Sequence, residues 1–204
     1  MRDPKKAKLF PEIQSPRRRR VVEAAIRSIA VDGIENLTFA TIAQAMGSTA
    51  SHVKYYFPQK EDVVRAAVHQ MLATLQTHII EKITAETNPR RALEAYVTGS
   101  IEILETNKDF WPLITLYFYY CSRDKQMRET NKAFRTTAHE RISALLRDLG
   151  IRNARDLESL ASYIFILVQT QGMEFIYDQT PGSLTRAKQT CLMRLSRALG
   201  AVLP

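Results

Sequence analysis

Residues 48–57 read Ser-Thr-Ala-Ser-His-Val-Lys-Tyr-Tyr-Phe, a helix-sized segment that carries seven side chains able to make hydrogen bonds. At about 100° per residue, a helix here turns Val53, Tyr56 and Phe57 to one side and Ser51 and Tyr55 to the other. His52 and Lys54 flank the outward pair, and Thr49 and Ala50 stand at the leading end. Such a set suits nucleic-acid contact. Ser51 is small enough for close approach to a base edge, and His52 can donate or accept at a base or a phosphate. Lys54 and Tyr55 suit phosphate oxygens, and Ala50 suits a thymine methyl. The constellations that carry catalysis are missing from the sequence: there is no Gly-x-x-x-x-Gly-Lys loop, dinucleotide fingerprint, nucleophile elbow or zinc motif. His52, His69, His78 and His139 include no pair at metal-ligand spacing on a helix. The expectation is a binding protein with no enzymatic activity, no metal and no cofactor.

A reading helix needs a second helix to hold it. Ala43, Gly47 and Val53 stand four and six residues apart, the spacing of a helix-turn-helix. Ala43 is small where the two helices cross. Gly47 opens the turn, where a positive φ is cheap for glycine. Val53 plugs the reading helix back onto Ile42 and Met46. This geometry puts the second helix of the pair into the DNA major groove.

The wider chain supports that use. Its 204 residues carry a formal charge of +8 and are 45% hydrophobic, a globular composition. The charge is lopsided. Residues 1–20 hold Arg2, Lys5, Lys6, Lys8 and Arg17 to Arg20 against Asp3 and Glu12, a net of +6, leaving +2 for the rest. A basic end on a near-neutral body points to a polyanion. Cys121 and Cys191 lie far apart within apolar helical patterns, which suggests a reducing compartment. With no secretory signal and no run of 18 apolar residues, a cytoplasmic protein with no membrane partner is expected.

The periodicity is helical throughout. Residues 1–16, with Pro4, Pro11 and Pro16, read as a flexible basic arm. Helices follow over about 17–32, from Thr38 to before Gly47, and from a Ser48 or Thr49 cap to Pro58. A long helix runs about 60–85, then 89–107, an aromatic segment 110–121, then 124–149, about 153–179, and a last helix capped by Ser183 to about 202. The fold class is all-α, about nine helices. The proposed domains are the arm at 1–16, a helix-turn-helix DNA-binding domain at 17–65, and a helical effector-binding and dimerisation domain at 66–204. The long fourth helix joins the last two.

Residues 21–66 resemble the TetR (tetracycline repressor) family of transcription regulators. The resemblance lies in Thr38, Ile42-Ala43, Gly47-Ser48-Thr49, Ser51, Val53-Lys54-Tyr55-Tyr56-Phe57 and Lys60-Glu61-Asp62-Val63. It implies a homodimeric, all-helical, ligand-responsive repressor, in which Thr38 and Lys60 contact phosphate. This sequence departs from the family pattern at Ser51, where glycine is usual, and at Lys54, where tyrosine is usual.

The helical body offers a candidate dimer seam and a candidate pocket. Residues 157–177 are apolar nearly all round, so that helix must be covered on two sides. Leu184, Cys191, Leu195, Leu199 and Val202 on the last helix supply a matching stripe, which suggests a four-helix dimer interface, and two-fold symmetry suits a palindromic double-stranded operator. Most aromatics are core. Trp111, Tyr117, Phe118, Phe134 and Tyr163, with Gln171 and Glu174, are the candidate contacts of a small, mostly apolar effector. The alternative reading is a constitutive or protein-modulated regulator without a small-molecule effector. No sequence feature names the ligand, the operator, or repression over activation.

Overall fold

A computed structural model describes residues 3–11, 13–178 and 180–202. Among them are nine α-helices and no strand: α1 (Pro16–Asp32), α2 (Phe39–Ala45), α3 (Ala50–Tyr56), α4 (Lys60–Thr84), α5 (Pro89–Thr106), α6 (Trp111–Arg123), α7 (Lys125–Asp148), α8 (Ala154–Asp178) and α9 (Ser183–Gly200). The all-α expectation holds, and the ends fall within a residue or two of the periodicity. Among the described residues no helix is long and apolar enough to cross a membrane. Arg2, Glu12, Gln179 and the last two residues of the chain lie outside the described residues.

Short polar side chains set the helix starts. Asn153 Oδ1 accepts from the Arg155 and Asp156 amides at 2.9 and 3.2 Å, and Asn88 Oδ1 accepts from Arg91 N at 3.1 Å. Each satisfies amides that a helix leaves unpaired at its N-terminus. Ser183 is not a cap. It is the first residue of α9 and is buried, while Gly182, with φ of 79°, stands at the cap position without a side chain to bond.

The chain packs as two compact units. One comprises Phe10–Thr74 and Asn107–Asn131; the other comprises Met1–Leu9, Leu75–Thr106 and Lys132–Pro204. In the first, α1 packs against α2 and α6, and α2 against α3. Its buried side chains include Val22, Ile29, Leu37, Ile42, Val53, Phe57, Val63 and Leu113. In the second, α5, α8 and α9 pack on one another around Leu93, Ile101, Ile142, Ile164, Cys191 and Leu195. This division falls inside α4 at residue 74, not near 65, because α6 joins the helix-turn-helix core. Residue 65 is a proposed functional boundary.

The segment expected as a flexible arm is instead held over residues 3–10. In the second unit, Pro4–Lys6 form a turn of 3-10 helix, and the buried Arg141 donates to the Lys5 and Ala7 carbonyls at 3.2 and 2.7 Å. Leu9 N donates to Oε1 of the buried Gln76 at 2.7 Å, and Lys5 pairs with Asp148 at 2.7 Å. In the first unit, Phe10 is buried with its ring 5.7 Å from that of His69. The physical reason lies in Arg141 and Gln76: these buried polar groups need partners, and the N-terminal backbone supplies them.

Candidate nucleic-acid interface

The site is assembled from α1, α2, α3 and the start of α4. Thr38 caps α2 reciprocally: its Oγ1 accepts from Thr41 N at 3.1 Å, and Thr41 Oγ1 accepts from Thr38 N at 2.9 Å. The turn to α3 closes through Ser48 N, which donates to the Ala43 carbonyl at 2.9 Å. Gly47 sits there at φ of 63°, with nothing within 4 Å of where a Cβ would be. The backbone conformation alone therefore calls for glycine at this turn. Thr49, not Ser48, is the cap of α3, accepting from His52 N at 3.3 Å.

With the helix start fixed, two side chains fix its rotation. Val53 and Phe57 are fully buried, and the Arg18 guanidinium of α1 lies 4.5 Å over the Phe57 ring. This leaves Ala50, Ser51, Lys54 and Tyr55 exposed on the opposite side, Tyr55 to 80%. Thr38 and Thr49 are exposed at the two helix starts. His52 is half-buried: its Nδ1 lies 2.7 Å from Ser48 Oγ and its ring 5.3 Å from that of Tyr56. Tyr55 meets Tyr56 edge to face at 5.1 Å. Lys60 Nζ donates to the Ile34 carbonyl at 2.9 Å, which holds the ammonium at the start of α4 with two further protons to give. The structure thus gathers Thr38, Thr49, Ala50, Ser51, His52, Lys54, Tyr55 and Lys60 into the one unit that contains the helix-turn-helix.

Sequence reasoning missed two features here. One is the Ser48–His52 pair, legible in principle because residues four apart share a helix-side face. The other is the start of α1, which has four consecutive arginines and no acidic residue in its first turn. Positive charge at the positive end of a helix dipole opposes the helix by about 0.3–1 kcal/mol per group, a cost that bound phosphate would reverse. Arg19 is tied to the Ile13 carbonyl at 2.8 Å; Arg17, Arg18 and Arg20 are exposed.

The expected effector contacts and dimer seam fare differently. Trp111, Tyr117 and Phe118 lie in the helix-turn-helix unit, and Phe134, Tyr163, Gln171 and Glu174 in the other. Tyr117 is buried and its hydroxyl donates to Asn131 Oδ1 at 3.0 Å; Trp111 and Phe134 are half-buried. Phe118, Tyr163 and Glu174 are exposed, so they do not line an enclosed pocket within their own unit. Gln171 is half-buried. Cys191, Leu195 and Leu199 are at most 1% exposed within the single chain, so they are core residues and not a free seam; Leu184 and Val202 are half-buried. Burial pushes the Cys191 thiol up to about 11. The large apolar side chains left exposed among the described residues of this unit are Tyr163, Ile166 and Tyr177 on α8 and Met193 on α9. No group of three or more metal-ligating side chains occurs among the described residues.

Residues 21–67 match the family described as bacterial regulatory proteins, tetR family. Over 96 residues the chain is 30% identical to the HTH-type transcriptional regulator BetI of Stenotrophomonas maltophilia, covering 47% of this chain and 49% of that protein. Over 86 residues it is 29% identical to BetI of Agrobacterium fabrum, covering 42% of each. The chain spans about half the length of the curated relatives it matches. In fold it is similar to a transcriptional regulator of Rhodococcus sp. Rha1, with a TM-score of 0.79 and 17% identity, over 92% of this chain and 99% of that one. It is equally similar to a Saccharomonospora viridis protein, described as a transcriptional regulator in complex with choline, with a TM-score of 0.79 and 20% identity over 90% and 97% of the two chains. The helix-turn-helix geometry and the match over residues 21–67 agree: that segment is similar to the bacterial regulatory proteins of the tetR family.

Proposed function

We propose that this protein is a transcriptional repressor that binds a palindromic DNA operator as a homodimer and releases it when a small effector binds its helical body. The observation that carries this reading is the orientation of α3. Val53 and Phe57 are locked inside, and Ala50, Ser51, Lys54 and Tyr55 face out. A helix held in this way can enter a major groove with its polar side forward. Ser51 and His52 would meet base edges; Thr38, Thr49, Lys54, Tyr55 and Lys60 would meet phosphates.

The dimer seam moves from the buried stripe of α9 to the exposed one. Tyr163 and Ile166 are 40% and 52% exposed on α8, and Met193 is 47% exposed on α9. A second copy would cover such side chains and place two reading helices for half-sites roughly 34–36 Å apart.

For the effector, the body offers an aromatic cluster on Phe165, which is buried. Phe134 and His139 lie 6.3 and 5.1 Å from its ring, and the Arg135 guanidinium lies 5.0 Å over it. His139 Nε2 is buried without a hydrogen-bond partner among the described residues, so a ligand with one polar group beside an apolar body would suit it. Choline, held by the Saccharomonospora viridis protein, is the first compound to test. A second reading, a regulator with no small effector, gains from the exposure of Tyr163, Phe118 and Glu174, which removes three expected pocket contacts.

Selection of bound duplexes from a random pool, followed by salt titration of the winner against a scrambled duplex, tests the function. Specific binding that weakens with salt is expected. Equal affinity for both duplexes at every salt concentration refutes sequence-specific regulation.

A further inference from the structure

Ser48, the residue after Gly47, has a partner on the reading helix. Ser48 Oγ and His52 Nδ1 are 2.7 Å apart, and the Ser48 hydroxyl makes no other hydrogen bond among the described residues. That separation is usual for a hydroxyl donor and short for a ring N–H donor, whose bonds centre near 2.9–3.0 Å. On that ground the hydroxyl is assigned as the donor and Nδ1 as the acceptor. A neutral imidazole has one proton, and the bond made by one nitrogen decides which carries it. An accepting Nδ1 leaves the proton on Nε2, which makes no bond among the described residues. The ring itself is steadied by Tyr56 at 5.3 Å.

Resting on the DNA-binding reading above, we infer that Ser48 is a positioning residue that fixes His52 as an Nε2–H donor, so that His52 selects a base presenting an acceptor in the major groove. Purine N7, guanine O6 and thymine O4 are such acceptors; the cytosine N4 amine is not. Ser48 itself stays half-buried in the turn and touches no base. The chain thus reads one position of its half-site through a pair of side chains, one in the turn and one on α3.

The test combines DNA selection with a direct measurement of the tautomer. Wild type, Ser48→Ala, Ser48→Thr and His52→Ala are each selected against a random duplex pool, and their thermal melts are compared. His52→Ala and Ser48→Ala should lose preference at the same base position, with about a fivefold loss of affinity for the wild-type operator. Ser48→Thr, which keeps the hydroxyl, should retain the preference. Nitrogen-15 NMR of the free protein should show His52 protonated at Nε2 and, in the alanine variant, a shift towards a mixture of tautomers. This measurement needs no DNA and stands even if a variant melts early. A Ser48→Ala selection identical to wild type while His52→Ala differs overturns the positioning role. Protonation at Nδ1 overturns the donor assignment. A His52→Ala selection identical to wild type removes His52 from base reading. If wild type itself selects no sequence, the DNA-binding reading fails, and the tautomer measurement still decides whether Ser48 sets the ring.

Discussion

Arg65 donates its Nη1 to Asp124 Oδ2 at 2.8 Å, joining the helix that leaves the reading helix to the cap of α7. The same guanidinium reaches Asp62 Oδ1 at 2.7 Å, and the other oxygen of Asp124 accepts from Met127 N at 3.1 Å. One carboxylate thus serves as a helix cap and an ion-pair partner at once. Asp124→Ala should lose both roles and about 0.5–2 kcal/mol, whereas Asp124→Asn keeps the cap and loses only the charge. Urea melts of the two variants and of Arg65→Ala check this. Equal losses for Asn and Ala would mean that the cap contributes nothing.

The dimer face separates two substitutions that periodicity alone cannot. Ile166→Glu places a charge on an exposed position and should give a folded monomer with sharply weaker operator binding. Leu195→Glu places it at a position with 0% exposure inside the chain, where an unpaired charge should unfold the protein. Sedimentation and circular dichroism distinguish them. A dimeric, folded Ile166→Glu protein moves the interface off α8.

The N-terminal segment should matter for stability. Deleting residues 1–8 takes both carbonyl acceptors from the buried Arg141. Burial already favours the neutral form of that guanidinium, and losing charge-assisted bonds should cost about 1.5–3 kcal/mol. A freely moving arm would leave the melting temperature unchanged on deletion, so the thermal melt decides between the two.

Contact roles should separate in DNA binding. Ser51→Ala should change base preference, at about 1–3 kcal/mol for a lost base contact, while Lys54→Ala should weaken all sequences alike and lower the salt slope. Lys60→Ala should also weaken all sequences, with some loss of stability through its bond to the Ile34 carbonyl. Binding curves across salt concentrations check the assignment. A base preference altered by Lys60→Ala and unaltered by Ser51→Ala reverses it.

Acidification should destabilise the fold in two windows. His69, His78 and His139 are held below the ordinary histidine value, each first by burial and then by a nearby cation, Arg65, Lys82 and Arg135 respectively. Their neutral forms are the ones the fold favours. The stability they contribute is complete above the unfolded value of about 6.5 and is lost as pH falls from there through their lowered folded values. A second loss begins below about 4, the ordinary carboxylate range. The Met127 amide and then Arg65 hold the Asp124 carboxyl below its usual value, and Lys188 and then Lys82 do the same for Glu102. Melting temperature should fall as pH drops below about 6.5, and His139→Gln should flatten that limb. An unchanged limb would show that His139 takes up its proton equally in both states.

The sequence by itself determined what is local. Thr38, Ala43, Gly47, Thr49 and Val53 lie within 16 residues, and their roles as caps, crossing point, turn and plug depend on neighbours a turn or two away. Hydrogen bonds and φ preferences of that range are fixed by residue type and spacing, so helix boundaries and the outward set on α3 were legible. Tertiary structure decided what each apolar stripe meets. Cys191, Leu195 and Leu199 show the same periodicity whether a partner copy or their own α5 and α8 cover them, and within the chain they are already buried. Residues 157–177 looked apolar all round, yet Tyr163, Ile166 and Tyr177 share an exposed side of α8. The same limit hid the docking of residues 3–10, whose partners Gln76 and Arg141 are more than 60 positions away in sequence. Burial is non-directional, so a hydrophobic pattern states that a face must be covered; only the packed chain states by what.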